Sequence, residues 1–555
     1  MHTNPERNAR DIMDLSPDTD AAVSPTGADS LPNEIWLQVF DNLSHGDLLQ
    51  ITLVCKRWLQ LVNRYKLQRG SKLVITKRNL KKICDALEST QFKCKKVEVS
   101  NPWSEFNSVE CQFLSRIFKY IGSEVVHVKL HRVSTLTVLN NLLPKLRELD
   151  LSDSWPDTRA MVDLKSFSQL TTLLIPDFFT IQSQLLASLT QMPNVRLQQL
   201  SIRIESSAGD WLDVLAKHAT SLRWLKLGTV WLDAWASARL KFQHRLREIF
   251  RTFTQLEVLD IGTISTRYKR LVLENICEKN RLKRIVLSDN SADALEVIVR
   301  KWSDSLEYLE IKRYRETEND AKQLNIMSGK LRSLTMYDTN GLADERLLYS
   351  IAPKSNAKLT ELKLSHAQLT RESFCHLTQR LPNLVVLDFR ELQSTIADEE
   401  MINIFRYLTR LRQLFLRPCV SQNDIKYLCS EYNISNLKSL QTLRSCFCPI
   451  KVLQVLNLTH TFNELSKLHL YSCPRIEKLS SPTFIDIDAR FPALQKLRFY
   501  SLHCRSSNQQ LRKICPRLQK IATDTILLTR VGVKVQIHAQ RNALYRRKLN
   551  AFCIQ

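Results

Sequence analysis

A short phrase of apolar residues, in the order apolar-x-x-apolar-x-apolar, recurs through most of this 555-residue chain. Clear copies lie at residues 146–151, 170–175, 197–202, 222–227, 256–261, 282–287, 306–311, 331–336, 359–364, 384–389, 411–416, 465–470 and 494–499. Weaker copies begin near Gly70, Cys94, Val125, Leu440 and Leu518. Between residues 282 and 411, neighbouring copies begin 24 to 28 residues apart. So regular a period indicates one repeat array rather than several independent globular units.

Each phrase predicts a short strand, because alternate apolar residues of a pleated chain face the same side. The intervening segments predict helices, since apolar residues recur at helical spacing in 210–215, 294–299 and 399–405. The long step at 228–255 predicts either a packed convex helix or a protruding loop. A further match at 453–458 starts too close to Leu465 for a full repeat, and is assigned to the helix of the unit beginning at Leu440.

The phrase and its period resemble the leucine-rich repeat. The resemblance implies an α/β fold, a solenoid of about 18 units over residues 67–529. It further implies a horseshoe with parallel strands on the concave side and helices on the convex side. We expect the segment that follows, residues 530–555, to be a basic C-terminal tail or cap, because it contains no Asp or Glu.

A different apolar pattern precedes the array. Leu31, Ile35, Phe40 and Leu43 recur at spacings that predict one helix, with Pro32 in its first turn. A second helix is predicted by Leu48, Leu49, Leu53 and Val54, and a short third by residues 55–65. Three helices of this size bury too little apolar surface to be comfortably stable alone. Part of that surface is therefore expected to face a partner or the repeats.

Residues 31–66 resemble an F-box along its whole length. The resemblance is carried by Leu31-Pro32, Glu34-Ile35, Phe40, Leu43, Asp47-Leu48-Leu49 and Val54-Cys55-Lys56-Arg57-Trp58. In that family the helices dock on a Skp-type adaptor, which tethers them to a cullin scaffold carrying the ubiquitin-conjugating machinery. The resemblance implies a substrate-receiving subunit of a Skp–Cullin–F-box ubiquitin ligase, not an enzyme. It also implies an adaptor-binding set of Leu31, Pro32, Glu34, Ile35, Phe40, Leu43, Leu48, Leu49, Val54 and Trp58.

The formal net charge of +24 lies almost wholly in the repeats and tail, because residues 1–66 contain six Lys/Arg against nine Asp/Glu. Such a field favours anionic partners. Residues 1–30 are polar and predict a flexible leader. Its Ser16-Pro17 and Ser24-Pro25 pairs are either phosphorylation sites or parts of an unmodified linker.

A candidate substrate surface follows from the strand pattern, because the second, fourth and sixth residues after each first apolar position point off the concave face. Early and middle units place there Glu148, Asp150, Thr172, Gln199, Arg203, Trp224, Lys226, Tyr308, Glu310, Lys312, Tyr337, Glu361 and Lys363. Late units are basic and aromatic, and the predicted substrate-binding set is Arg390, Phe415, Arg417, Arg444, Lys467, His469, Tyr471, Lys496, Arg498 and Tyr500. Cations beside rings suit an acidic or phosphorylated protein. The alternative is that these are ordinary solvated residues of a basic protein.

Other functions are less well supported by the sequence. A basic repeat scaffold binding nucleic acid is the alternative, although no nucleic-acid module is recognisable. We find no phosphate-binding glycine loop and no nucleophile motif, and we expect no cofactor. The late cysteines lack the paired Cys-x-x-Cys spacing of a zinc site, so we expect no metal and no structural disulfides. The absence of a membrane-length apolar run and of a signal-like N-terminus predicts a cytoplasmic or nuclear protein that does not act at a membrane.

Overall fold

The structure is a computed structural model. It describes residues 31–41, 43, 51, 53–62, 72–88, 94–100, 106–131, 139, 141–153, 164–175, 188–192, 195–205, 210–231, 236–261, 264, 266–288, 292–312, 318–337, 351, 358–366, 369–391, 403–404, 406–416, 439–445, 463–471, 496–501, 525–530 and 533–539.

One sheet of nineteen strands runs through the described part of the chain. The strands are β1 (Lys72–Ile75), β2 (Lys96–Ser100), β3 (His127–His131), β4 (Glu148–Asp153), β5 (Thr172–Leu174), β6 (Gln199–Glu205), β7 (Trp224–Trp231), β8 (Val258–Asp260), β9 (Arg284–Ser288), β10 (Tyr308–Lys312), β11 (Ser333–Tyr337), β12 (Glu361–Ser365), β13 (Val386–Glu391), β14 (Gln413–Leu416), β15 (Thr442–Ser445), β16 (Lys467–Tyr471), β17 (Lys496–Ser501), β18 (Thr525–Arg530) and β19 (Val533–Ala539).

Strands β1 to β17 pair in sequence order, each parallel to the next. The order changes only at the C-terminal end. There β19 pairs parallel with β17, and β18 pairs antiparallel with β19. Residues 533–539, within the segment predicted to be a tail or cap, are thus a strand of the sheet.

The repeat phrase sets the position of the strands. Each of the thirteen clear copies has a strand that begins two residues after the first apolar residue of the phrase. The same offset holds for the weaker copies near Gly70, Cys94, Val125 and Leu440, whereas the copy near Leu518 lies outside the described residues. The first-position leucines with a described side chain, from Leu146 to Leu465, are 0–1% exposed. The predicted α/β repeat solenoid is confirmed.

Two of the helices precede β1, and the others lie between the strands. The helices are α1 (Asn33–Asp41), α2 (Lys56–Leu61), α3 (Leu80–Glu88), α4 (Ser108–Ile121), α5 (Asp210–His218), α6 (Ala236–Arg251), α7 (Thr266–Asn275), α8 (Ala292–Trp302), α9 (Glu318–Ser328) and α10 (Arg371–Arg380). Helices α5 and α8 confirm two of the predicted return helices, while the third, at 399–405, falls largely outside the described residues. Helix α6 confirms a packed helix in the 228–255 segment, since Leu246, Ile249 and Phe250 are buried.

The geometry of the repeat makes the strand side the inner one. Neighbouring strands lie about 4.8 Å apart, whereas helices with their side chains are about 10 Å thick. A layer of strands backed by a layer of helices therefore curves toward the strands. The apolar side chains between the two layers form one continuous core from Ile75 to Leu465.

The N-terminal helices are only partly as predicted. Helix α1 begins at Asn33, and the Pro32 carbonyl accepts hydrogen bonds from Ile35 N and Trp36 N at 3.2 Å. The prediction that Leu53 and Val54 belong to a second helix is wrong, because both lie in a turn closed by Val54 N donating to Ile51 O. The chain turns there, and Cys55 then caps the N-terminus of α2.

Candidate functional site

An aromatic cluster joins α1 to α2. The rings of Trp36 and Trp58 have centroids 4.5 Å apart, and Phe40 packs against Trp58 edge-on at 5.6 Å. Leu61 and Val62 complete this small core, in which Trp36, Phe40 and both aliphatic side chains are buried. Aromatic pairs in such tilted arrangements attract one another beyond the burial of their area. The cluster therefore fixes the two helices against each other.

Polar contacts hold the same two helices at their N-termini. The Arg57 guanidinium donates to the Leu31 carbonyl at 2.6 Å and to Asn33 Oδ1 at 2.9 and 3.0 Å. The planar, forked guanidinium suits several acceptors in one plane. Cys55 caps α2, because its Sγ accepts a hydrogen bond from Trp58 N at 3.4 Å. Cys55 thus caps α2, Arg57 joins the two helices as a polar clamp, and Trp58 belongs to the aromatic cluster.

Apolar side chains lie exposed on the other side of α1. Leu31, Ile35 and Val39 are four residues apart and 39–43% exposed, so they form one stripe along the helix and the residue preceding it. Leu53, Val54 and Leu59 add further exposed apolar surface from the turn and α2. We call these six residues the apolar stripe. Grouped exposure of apolar side chains is typical of surfaces that bind another molecule.

The structure divides the predicted adaptor-binding set. Leu31, Pro32, Glu34, Ile35 and Val54 are exposed, whereas Phe40, Leu43 and Trp58 belong to the internal cluster. Leu48 and Leu49 lie outside the described residues. Sequence reasoning missed Val39, Leu53 and Leu59 on the stripe and Trp36 in the cluster. The four-residue spacing of Leu31, Ile35 and Val39 was the pattern that would have identified part of the stripe.

On the strand side of the solenoid, the register aligns residues in rows across the sheet. The central row runs from β1 to β17 and then β19 through Val74, Glu98, Lys129, Asp150, Leu174, Ser201, Lys226, Asp260, Val286, Glu310, Thr335, Lys363, Asp388, Phe415, Arg444, His469, Arg498 and Gln536. A second row, two residues earlier, contains Thr442, Lys467, Lys496 and Lys534. A later row contains Tyr471, Tyr500 and His538.

The rows bring together much of the predicted substrate-binding set. Phe415, Arg444, His469 and Arg498 are neighbours in the central row, Lys467 and Lys496 in the second, and Tyr471 and Tyr500 in the later one. Among those with a described side chain, Phe415 is half-buried and Lys467 is exposed. Arg390 lies on β13, and Arg417 lies outside the described residues.

In the early strands, carboxylates lie beside a lysine and a histidine of the neighbouring strand. Lys129 lies 3.1 Å from Asp150, and His127 Nδ1 lies 2.5 Å from Glu148. Burial by itself would raise the pKa of Asp150, but hydrogen bonds from Ser152 and the Lys129 ammonium outweigh it and hold that pKa below its ordinary value. The carboxylate is thus kept ionised by its neighbours, and the charge on this part of the face is compensated internally.

The cysteines with a described thiol are free: Cys55, Cys84, Cys94, Cys111, Cys277 and Cys375. Burial raises the pKa of the Cys94 thiol to about 12, so this group stays protonated and unreactive. Across the described ranges, no three His, Cys, Asp or Glu side chains come together as a metal site would require. Within the same ranges, no helix has the length and apolar character needed to cross a bilayer.

The strand array with its backing helices defines a leucine-rich repeat solenoid. The two clamped helices that precede it belong to a second module: the F-box-like family model matches residues 28–69, so the chain carries an F-box-like domain and the resemblance seen in the sequence is confirmed. No curated protein matches the sequence.

Three solved structures are similar in fold. Internalin InlF from Listeria monocytogenes has 16% identity and a TM-score of 0.28, with 69% of this chain and 88% of that chain covered. A chain of the yeast Rad7–Elc1 complex structure has 11% identity and a TM-score of 0.32, with 90% of this chain and 91% of that chain covered. A TDR receptor has 14% identity and a TM-score of 0.26, with 76% of this chain and 62% of that chain covered. Because these scores are low, the fold assignment rests on the strand pairing of this chain itself.

Proposed function

We propose that this protein is a substrate-receiving subunit of a Skp–Cullin–F-box ubiquitin ligase. The observation that carries the proposal is the F-box-like domain with its exposed apolar stripe, followed along the chain by a repeat solenoid with a continuous strand face. In this role the stripe binds a Skp-type adaptor, and the adaptor tethers the chain to a cullin scaffold. The strand face holds a protein substrate, acidic or phosphorylated, for ubiquitination and degradation by the proteasome.

The role requires no catalytic residue in this chain. Holding the substrate beside the ubiquitin-loaded enzyme raises the effective concentration of its lysines, and this proximity accelerates transfer. The compartment that fits is the cytoplasm or nucleus, where such ligases meet their substrates.

The adaptor contact is supported by the energetics of the stripe. Covering a half-exposed aliphatic side chain contributes about 1 kcal/mol, so several such residues supply a useful part of a stable complex. The internal aromatic cluster and the Arg57 clamp keep the stripe in one geometry before the adaptor arrives. Preorganisation of this kind lowers the entropy cost of binding.

The test is binding of a purified Skp-type adaptor to the full chain, measured by co-purification and calorimetry. We expect Ile35→Glu/Val39→Glu to weaken binding at least tenfold, about 1.4 kcal/mol, because two carboxylates would be buried in an apolar contact. Val109→Glu is the matched control: Val109 is an exposed valine in the first turn of α4, in the solenoid, and its replacement should leave binding unchanged. Equal adaptor binding by the double variant and the native chain would refute the proposal.

A second candidate function, binding of nucleic acid by the basic solenoid, is favoured by the net charge of +24. It predicts that the affinity for nucleic acid falls steeply as salt is raised and is unchanged by Ile35→Glu/Val39→Glu. Labelled duplex and single-stranded DNA are titrated into the native chain and into the Ile35→Glu/Val39→Glu variant. Equal, salt-sensitive binding of DNA by the two proteins would favour the nucleic-acid function.

A further inference from the structure

Charge changes abruptly along the sheet between β13 and β14. Strands β1 to β13, here the mixed strands, contain nine Lys/Arg and ten Asp/Glu. Strands β14 to β19, here the basic strands, contain six Lys/Arg and no Asp or Glu. Asp388 is the last acidic residue in the central row. The charge of the strands is therefore nearly balanced in β1 to β13 and wholly positive in β14 to β19.

In the mixed strands, cations on the face are matched by carboxylates from the same or the next strand. Arg284 lies 3.1 Å from Glu310, and Lys312 lies 3.7 Å from the same carboxylate. Lys363 lies 3.7 Å from Glu361, and Lys72 is paired with Glu98. These pairs are internally compensated and offer little to an external anion. In this part of the sheet, cations and carboxylates form ion pairs with one another.

In the basic strands the register places cations next to cations. Lys467, Lys496 and Lys534 are direct neighbours on β16, β17 and β19, and Arg444, His469 and Arg498 are direct neighbours on β15, β16 and β17. Neighbouring strands are about 4.8 Å apart, and residues two apart on a strand are about 6.6 Å apart. Like charges at such distances repel and lower the stability of the folded chain. An arrangement with that cost suggests a bound anion.

The extent of the array indicates the form of that anion. Four strands from β15 to β19 span about 14 Å, more than a single phosphate can reach with its oxygens. An extended peptide, in contrast, repeats its side chains on one face about every 6.6 Å, the distance between the two rows. Tyr471 and Tyr500 are in register with each other on the same two strands as Lys467 and Lys496.

We propose that the basic strands bind a run of several Asp or Glu residues in an extended segment of the substrate. This inference rests on the proposed function, in which the strand face receives a protein, and it names the chemistry of the segment that is received. Opposite charge on the two sides speeds encounter and fixes register, and desolvated contacts with the run supply affinity.

The experiment uses the purified full chain and a fluorescently labelled peptide of alternating glutamate and serine, with anisotropy as the readout. The comparison probes are the same peptide with glutamine in place of glutamate, a peptide with one phosphoserine, and single-stranded DNA of similar length. We expect the glutamate peptide alone to bind tightly, with affinity that falls as salt is raised.

Charge reversal locates the site. Lys496→Glu/Arg498→Glu on β17 should weaken peptide binding at least tenfold, and the exposed Lys467→Glu should weaken it severalfold. Lys467→Gln should cause a smaller loss of peptide affinity than Lys467→Glu. This pair of single variants keeps the test informative if the double variant misfolds. Lys312→Glu, a reversal of a compensated cation in the mixed strands, is the matched control and should change binding little.

Three results would overturn the inference: no binding of the glutamate peptide, equal weakening by Lys312→Glu, or tighter binding of the phosphoserine peptide or the DNA. Binding of the Skp-type adaptor, measured in parallel, distinguishes failure of this inference from failure of the proposed function. Variants on β16 and β17 should still bind the Skp-type adaptor, whereas Ile35→Glu/Val39→Glu should lose the adaptor and keep the peptide.

Discussion

Gly122 shows how tightly single residues are constrained where a helix meets the next repeat. It follows α4, and its amide donates to the Phe118 carbonyl at the end of that helix. A Cβ placed on Gly122 would collide with the backbone oxygen of Leu142 and lie 3.1 Å from the Leu143 side chain. The backbone of the next unit therefore approaches at a distance that only glycine allows.

We expect Gly122→Ala to lower the free energy of unfolding by about 1–3 kcal/mol, because backbone must shift to admit the methyl group. The measurement is urea unfolding followed by circular dichroism. Gly329→Ala is the control, since a Cβ there meets nothing within 4 Å. That variant should stay within about 0.5 kcal/mol of the native chain. Equal effects of the two substitutions would contradict the packing argument.

At the scale of elements, lysine side chains join consecutive helices. Lys301, near the end of α8, donates to the carbonyls of Glu274, Ile276 and Leu273 at 2.5, 2.8 and 3.1 Å, around the C-terminus of α7. Lys217 at the end of α5 likewise donates to the Thr190 carbonyl at 2.6 Å. Terminal carbonyls have no partner within their own helix, and a cation offsets the negative end of its dipole. Burial lowers the pKa of the Lys301 ammonium, and the Glu278 carboxylate opposes that change.

Replacing Lys301 with methionine keeps most of the apolar stem and removes the donors. We expect Lys301→Met to cost about 1.5–3 kcal/mol, the range for hydrogen bonds made by a charged group. Lys330→Met removes the exposed ion pair between Lys330 and Asp304 and should cost less stability than Lys301→Met, because exposed ion pairs contribute little. Chemical unfolding of both variants provides the comparison, and a ranking in the reverse order would show that the capping bonds do not stabilise the stack.

The strands were predictable from the sequence because one leucine-based phrase specifies both the strand and its inward face. What the phrase could not reveal is the β18–β19 hairpin. Strand β19 alternates apolar and polar residues without the leucine phrase, and β18 contains three apolar residues in succession. Strand β19 also pairs with β17 through contacts that local pattern does not encode. The separation of the two strands by Val531-Gly532 was the available hairpin indication.

The F-box-like domain was predictable as a motif but not as a surface. Helix α1 has apolar residues on two of its sides, Trp36 and Phe40 on one and Leu31, Ile35 and Val39 on the other. Which side is buried depends on where α2 packs, and that is set by Trp58 and the Arg57 clamp. Periodicity alone therefore grouped Phe40 with the exposed residues.

At the scale of the whole molecule, the two modules differ greatly in core size. Among its described residues, the F-box-like domain has a core of four buried side chains, Trp36, Phe40, Leu61 and Val62, with a few partly buried neighbours. The solenoid has one core that continues through its repeats. Small cores open locally at low free-energy cost, whereas central repeats open only with their neighbours.

Hydrogen exchange should display this difference. In the free chain we expect amides of α1 and α2 to exchange at least tenfold faster than those of β7 to β11, and to become protected when a Skp-type adaptor is added, because binding stabilises the folded helices. Mass spectrometry after proteolysis resolves both regions. Equally slow exchange in α1 and in the central strands of the free chain would contradict the expectation.

The constant two-residue offset between each phrase and its strand has a consequence for changing specificity. The leucines that build the core and the residues that face a ligand occupy alternating positions, so one set can be rewritten while the other is left alone. A designer can transplant the outward residues of β10 to β12 onto β15 to β17 without altering core volume, and so convert a cationic recognition surface into a neutral one. The same separability allows the strand face to change by surface substitutions alone, without disturbing the core.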